Sequence, residues 1–68
     1  MISGNQCVKK LQKLGFVAIR QKGSHVILRH DDGRITVVPC HQGKDLDRRL
    51  LYKILRDAEI TPEQFNEM

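Results

Sequence analysis

No stretch of this chain is long and apolar enough to span a membrane, and the opening Met-Ile-Ser-Gly-Asn lacks the apolar run of a signal peptide. Cysteine is scarce. Only Cys7 and Cys40 occur, with no leader ahead of them, so a reducing, cytoplasmic setting is expected instead of a disulfide framework. Cys40 and His41 are adjacent, whereas structural zinc sites use ligand pairs separated by about two to four residues or more. No metal and no other cofactor is therefore expected. Internal repeats, low-complexity tracts and linkers are missing as well, and 68 residues leave no material for a second core, so residues 1–68 read as one domain.

Acidic residues are few in the first half. Residues 1–38 hold seven Lys or Arg against two Asp, a balance of +5, while residues 39–68 hold five against six, a balance of −1, which sums to the net +4. A basic half favours an anionic partner, although charge alone does not separate RNA, DNA and an acidic protein.

Ser3-Gly4-Asn5-Gln6 has the spacing of a capping box and starts a helix, with Cys7, Leu11 and Leu14 on one side and Lys9, Lys10 and Lys13 on the other. Gly15 supplies a left-handed stop, and Phe16 folds back on Leu11. Three short runs rich in β-branched residues follow, at 16–21, 24–30 and 34–38. Two-residue turns at Lys22-Gly23 and Asp32-Gly33 would set Arg20 opposite His25, Arg29 opposite Thr36, and Leu28 opposite Val37. That register puts Val17, Ile19, Val26, Leu28, Ile35 and Val37 on the core face. Arg20, His25, Ile27, Arg29, Arg34 and Thr36 fall on the open one. Asp47 then caps a second helix with Leu50, Leu51, Ile54, Leu55 and Ala58 as its buried stripe, and Thr61-Pro62-Glu63-Gln64 opens a terminal turn that Phe65 docks on the core. The expected fold is α+β: helix, three strands, helix, with a three-stranded antiparallel sheet and both helices on one face.

The chemistry concentrates in Arg20-Gln21-Lys22-Gly23-Ser24-His25. An imidazole gives and takes protons near neutral pH, and neighbouring cations hold and neutralise a phosphate. Gly23 leaves the approach open. Arg20, Lys22 and Lys44 are the candidate cations. Ser24 is suited either to hydrogen-bonding the phosphate or to ending the turn, and His41 is the candidate for a second proton transfer. His30, beside the Asp-Gly turn, reads as structural or exposed. A Ser24–His25 nucleophilic pair is disfavoured, because consecutive strand residues point to opposite faces.

The element order resembles the double-stranded RNA-binding domain. Leu14-Gly15-Phe16, Arg20 to His25, Asp32-Gly33-Arg34, Val38-Pro39 with His41, Gly43-Lys44-Asp45-Leu46, and Leu51 to Leu55 follow in order along most of the chain. On these blocks the sequence is more narrowly similar to the HicA toxin ribonucleases of bacterial and archaeal toxin-antitoxin pairs. It departs at Arg48-Arg49-Leu50, where the family usually reads Lys-Gly-Thr or similar. This resemblance implies an endoribonuclease that cleaves mRNA, whose essential histidine matches His25 and which a HicB-type antitoxin holds inactive; proton transfer by His25 during attack of a ribose 2′-oxygen on phosphorus then requires no metal. The alternative is a noncatalytic RNA-binding module of the double-stranded RNA-binding type, with Lys9, Lys10, Lys13, Arg48 and Arg49 as phosphate contacts.

Overall fold

The computed structural model describes residues 2–67. Its elements run α1 (Gly4–Lys13), β1 (Val17–Lys22), β2 (His25–Arg29), β3 (Ile35–Pro39), α2 (Arg48–Ala58) and α3 (Pro62–Asn66). The strands form one antiparallel sheet in the order β1-β2-β3. The expected α+β architecture is present. Each helix starts and stops where its caps dictate. Ser3 and Gln6 exchange capping-box bonds at α1, and Thr61 and Gln64 do so at α3. Asp47 Oδ1 accepts from the Leu50 amide at 2.8 Å to start α2. At the end of α1 the Phe16 amide donates to the Leu11 carbonyl and the Gly15 amide to that of Gln12, the paired bonds of a Schellman ending.

Cys7 and Leu11 of α1, Leu28 and Val38 of the sheet, and Ile54, Leu55 and Ala58 of α2 form the core, which Phe65 closes from α3. All the helices therefore lie on one side of the sheet. Thr36 is buried with them and satisfies its hydroxyl by donating to the Ile54 carbonyl at 3.1 Å.

The strand faces differ from the sequence expectation. The β2–β3 loop contains three residues, not two. The His30 amide donates to the Arg34 carbonyl and the Gly33 amide to that of His30, with Gly33 at φ +97°, a type I turn closed by a left-handed glycine. This moves β3 along by one, so Leu28 faces Thr36 and Arg29 faces Ile35. A one-residue slip reverses every side chain of a strand. Thr36 and Val38 accordingly point into the core, while Ile35 and Val37 stand on the open face, 50% and 41% exposed.

The first hairpin shifts as well. Its turn is Gly23-Ser24, which pairs Lys22, not Arg20, with His25. A bulge at Ile19, between Ala18 and Arg20, leaves Val17 and Ile19 outside at 57% and 54% exposure. Arg34 also departs from the open face. Its Nη1 donates to the Ala58 carbonyl at 2.7 Å, and the guanidinium lies 5.2 Å from the Phe16 ring.

Candidate active site

β2 begins at His25 because the turn before it is short and starts with glycine. Gly23 takes φ +61° and Ser24 a negative φ, the type II′ pattern that favours glycine at its first central position. A Cβ on Gly23 would meet no atom within 4 Å, so the space beside the turn that precedes His25 is open. Pairing with Lys22 on one side and Pro39 on the other holds His25 on the open face, where it is exposed.

The loop after β3 is fastened to the same spot. The Cys40 amide donates to the Ser24 carbonyl at 2.7 Å, joining the turn before His25 to the segment that carries His41. The Lys44 amide closes a turn onto the His41 carbonyl at 3.2 Å, helped by Gly43 at φ +74°. Beyond it, Asp45 bridges to Ser3 and the Leu46 amide donates to the Ile2 carbonyl at 2.8 Å. α1 is pressed against this junction, because a Cβ on Gly4 would run into the Pro39 carbonyl oxygen and the Cys40 Cα. These ties set the His25 and His41 rings 6.3 Å apart between centroids, inclined at 80°. Both residues are exposed, and neither ring has a hydrogen-bond partner among the described residues.

Lys22 stands directly across from His25. Arg20 is on the same face one pair further along, opposite Ile27, and Lys44 is exposed on the His41 turn. None of these three cations forms an ion pair among the described residues. Ser24 is half-buried and contributes its carbonyl to the junction.

His30 belongs elsewhere. Its ring packs edge-on against Phe16 at 5.2 Å, and Nδ1 accepts from the Asp32 amide at 3.3 Å. The same loop holds Asp32 Oδ2 2.8 Å from Arg34 Nε. The Arg34 hydrogen bond is the main reason that the Asp32 carboxyl titrates below its usual range. Of the helix cations assigned to the binding alternative, Lys10 is engaged internally. Its Nζ lies 4.7 Å from the Phe65 ring centroid and reaches the Phe65 carbonyl at 3.4 Å.

Burial pushes the Cys7 thiol up to about 12, with nearby Cys40 adding to the effect and Lys10 opposing it, and burial raises Cys40 too. Neither is a reactive thiolate at neutral pH.

Sequence reasoning missed two features of this region. One is the backbone bond from Cys40 to Ser24, for which no side-chain signal exists. The other is the row of aliphatic side chains sharing the open face with His25. Its signal was present, since Ile35-Thr36-Val37-Val38 is β-branched throughout and fits either orientation of the strand.

A search of curated proteins returns no significant match. A family model described as "HicA toxin of bacterial toxin-antitoxin" matches residues 4–60, which takes in everything from the first helix through the end of the second, including the His25 turn and the His41 loop. The chain belongs to the HicA toxin family of bacterial toxin-antitoxin systems.

Proposed function

We propose that this toxin is an endoribonuclease that cleaves mRNA without a metal, using His25 and His41 as a proton-transfer pair. The observation that carries the reading is the placement of two exposed imidazoles 6.3 Å apart beside Lys22, on a surface no helix covers. Each ring can come within hydrogen-bond reach, about 3 Å, of a different oxygen on one phosphodiester.

In the simplest scheme one ring accepts the proton of a ribose 2′-hydroxyl as the 2′-oxygen bonds to the adjacent phosphorus. The bond from phosphorus to the 5′-oxygen breaks, and the other ring, protonated, delivers a proton to that leaving oxygen. The products are a 2′,3′-cyclic phosphate and a 5′-hydroxyl. Lys22, with Arg20 and Lys44, stabilises charge on the non-bridging phosphoryl oxygens. Positioned proton transfer contributes about 10²- to 10⁴-fold in rate. Gly23 and Ser24 admit the RNA backbone at the turn.

The test is incubation of wild type and His25→Ala with end-labelled single-stranded RNA in the presence of EDTA. Wild type is expected to cleave and the variant to bind without cleaving. Intact RNA with both proteins favours the noncatalytic binding module, and equal cleavage by both removes His25 from the mechanism.

A further inference from the structure

On the helical side of the molecule, where α1, α2 and α3 meet, the surface opens into a cleft of about 270 Å³. Leu46, Leu51 and Phe65 supply its apolar floor, the exposed Arg48, Tyr52 and Asn66 its rim, and Lys10 reaches it from α1. A cavity of about 150 Å³ accepts a benzene ring, so this one has room for a fused pair of planar rings. The chain has two Phe, one Tyr and no Trp. Both Phe are buried, whereas Tyr52 is 53% exposed and offers a face on which a flat ligand can stack. The charge around it is of one sign. No Asp or Glu lines the cleft among the described residues. Arg48 stands four residues before Tyr52, on the same face of α2, and neither it nor Lys10 forms an ion pair among the described residues. The Asp47 carboxylate beside Arg48 is occupied by the Leu50 amide. Lys10 uses one N–H on the Phe65 carbonyl, which leaves two for an anion.

We propose that this cleft is a nucleotide subsite, which takes one base of the RNA strand and its phosphate outside the His25 centre. The inference rests on the ribonuclease reading above. The base lies on the Tyr52 ring, its edge meets the Asn66 side-chain amide, which both donates and accepts, and the phosphate falls to Arg48 and Lys10. Aromatic stacking with cations along the backbone is how single strands are held. A ring, an amide and two cations without a carboxylate match a base and its phosphate group for group. An acidic peptide side chain would meet the cations and leave the ring and the amide unused. The cleft is also within reach of the candidate active site. Leu46 follows His41 by five residues, which limits the separation of their Cα atoms to about 18 Å, and Lys44 is exposed between them. A strand with its scissile phosphate at His25 and His41 therefore passes Lys44 and enters the cleft within a few nucleotides, and the base seated there contributes to the choice of cleavage site.

The probe is a short fluorescein-labelled RNA with every 2′-hydroxyl methylated, so that the proposed cleavage cannot occur and binding is read alone. Titrated into the ¹⁵N-labelled protein, it should move the Asn66 side-chain amide signals and the ring protons of Tyr52, which as the single tyrosine is identified without ambiguity. Fluorescence anisotropy then compares variants whose folding circular dichroism has verified; both substituted side chains are exposed. Tyr52→Leu should raise Kd by about 5- to 100-fold, the worth of stacking one base on an aromatic ring, while Tyr52→Phe, which keeps the ring, stays near wild type. Arg48→Gln should flatten the salt dependence by about 0.7 in log-log slope, one phosphate contact on a single strand.

Tyr52 and Asn66 signals that stay still while the strand saturates the protein would overturn the proposal, as would wild-type affinity in Tyr52→Leu. So would adenosine monophosphate binding as tightly as the strand, which would assign the cleft to a free nucleotide, or signals that move with the purified antitoxin and not with RNA, which would assign it to a protein. Cleavage of unmodified RNA, measured alongside, separates the two readings. If RNA is cut while the cleft signals stay still, the subsite fails and the nuclease stands; if none is cut while they move, the nuclease reading fails on its own.

Discussion

Exchanging Val37 and Val38 in turn for alanine tests which way β3 faces, and with it which surface carries the candidate site. Val38 is 0% exposed and packs in the core, while its neighbour Val37 is 41% exposed on the open face. Truncating a buried valine removes two methyl groups at about 0.8 kcal/mol each, and the cavity left behind raises the total to roughly 2–3 kcal/mol. Val37, 41% exposed, forfeits about three fifths of the transfer energy and leaves no cavity, so about 1 kcal/mol is expected. In a domain this small, 1 kcal/mol moves Tm by roughly 4–8 °C, so Val38→Ala should lose about two to three times as many degrees as Val37→Ala, at least about 8 °C against roughly 4–8 °C. Thermal melts followed by circular dichroism, with urea titration as a second measure, give the comparison. Equal losses, or a larger loss for Val37→Ala, would mean that a two-residue Asp32-Gly33 turn is the true one and that the surface described here is the core.

Gly4→Ala should destabilise the protein by about 2 kcal/mol, read by urea unfolding, because the new methyl collides with backbone atoms of Pro39 and Cys40 that cannot rotate away. Cys7 holds its proton more tightly folded than unfolded, so its contribution to stability is complete below pH 9 and is lost as the pH rises toward about 12. A midpoint of urea unfolding that falls more steeply over this interval in wild type than in Cys7→Ala, where Cys40 alone of the two thiols still titrates, is the expected result. Arg20→Ala should weaken RNA binding and flatten its salt dependence by about 0.7 in log-log slope, the loss of one phosphate contact on a single strand; an unchanged slope would show that Arg20 does not touch phosphate.

Much of the fold could be read from local chemistry. The two capping boxes, the Gly15 stop and the Asp47 cap bound the helices where Ser3, Gln6, Phe16, Leu50, Thr61 and Gln64 make the bonds their types predict. The sheet faces could not be read in this way. Strand orientation depends on loop length to the single residue, and His30-Asp31-Asp32-Gly33-Arg34 closes equally well on paper around two residues or three. In the folded protein His30 is held by Phe16 and Asp32, and Arg34 reaches Ala58 and Phe16, contacts across the chain that favour the longer loop. His25 stayed on the open face, although the turn before it is displaced by one residue, and Lys22 took the place expected for Arg20. The nearness of His41 depended on the Cys40–Ser24 backbone bond, which no residue type announces.

The measurement that bears most directly on the proposed mechanism is the single-turnover cleavage rate of one RNA by wild type, His25→Ala, His41→Ala and the double variant, all in EDTA. If the two rings act on one phosphodiester as a unit, each single substitution lowers the rate by about 10²- to 10⁴-fold and the double falls little further. A His41→Ala protein that cleaves at the wild-type rate would contradict the pairing, and wild-type protein that leaves the RNA intact would contradict the ribonuclease itself.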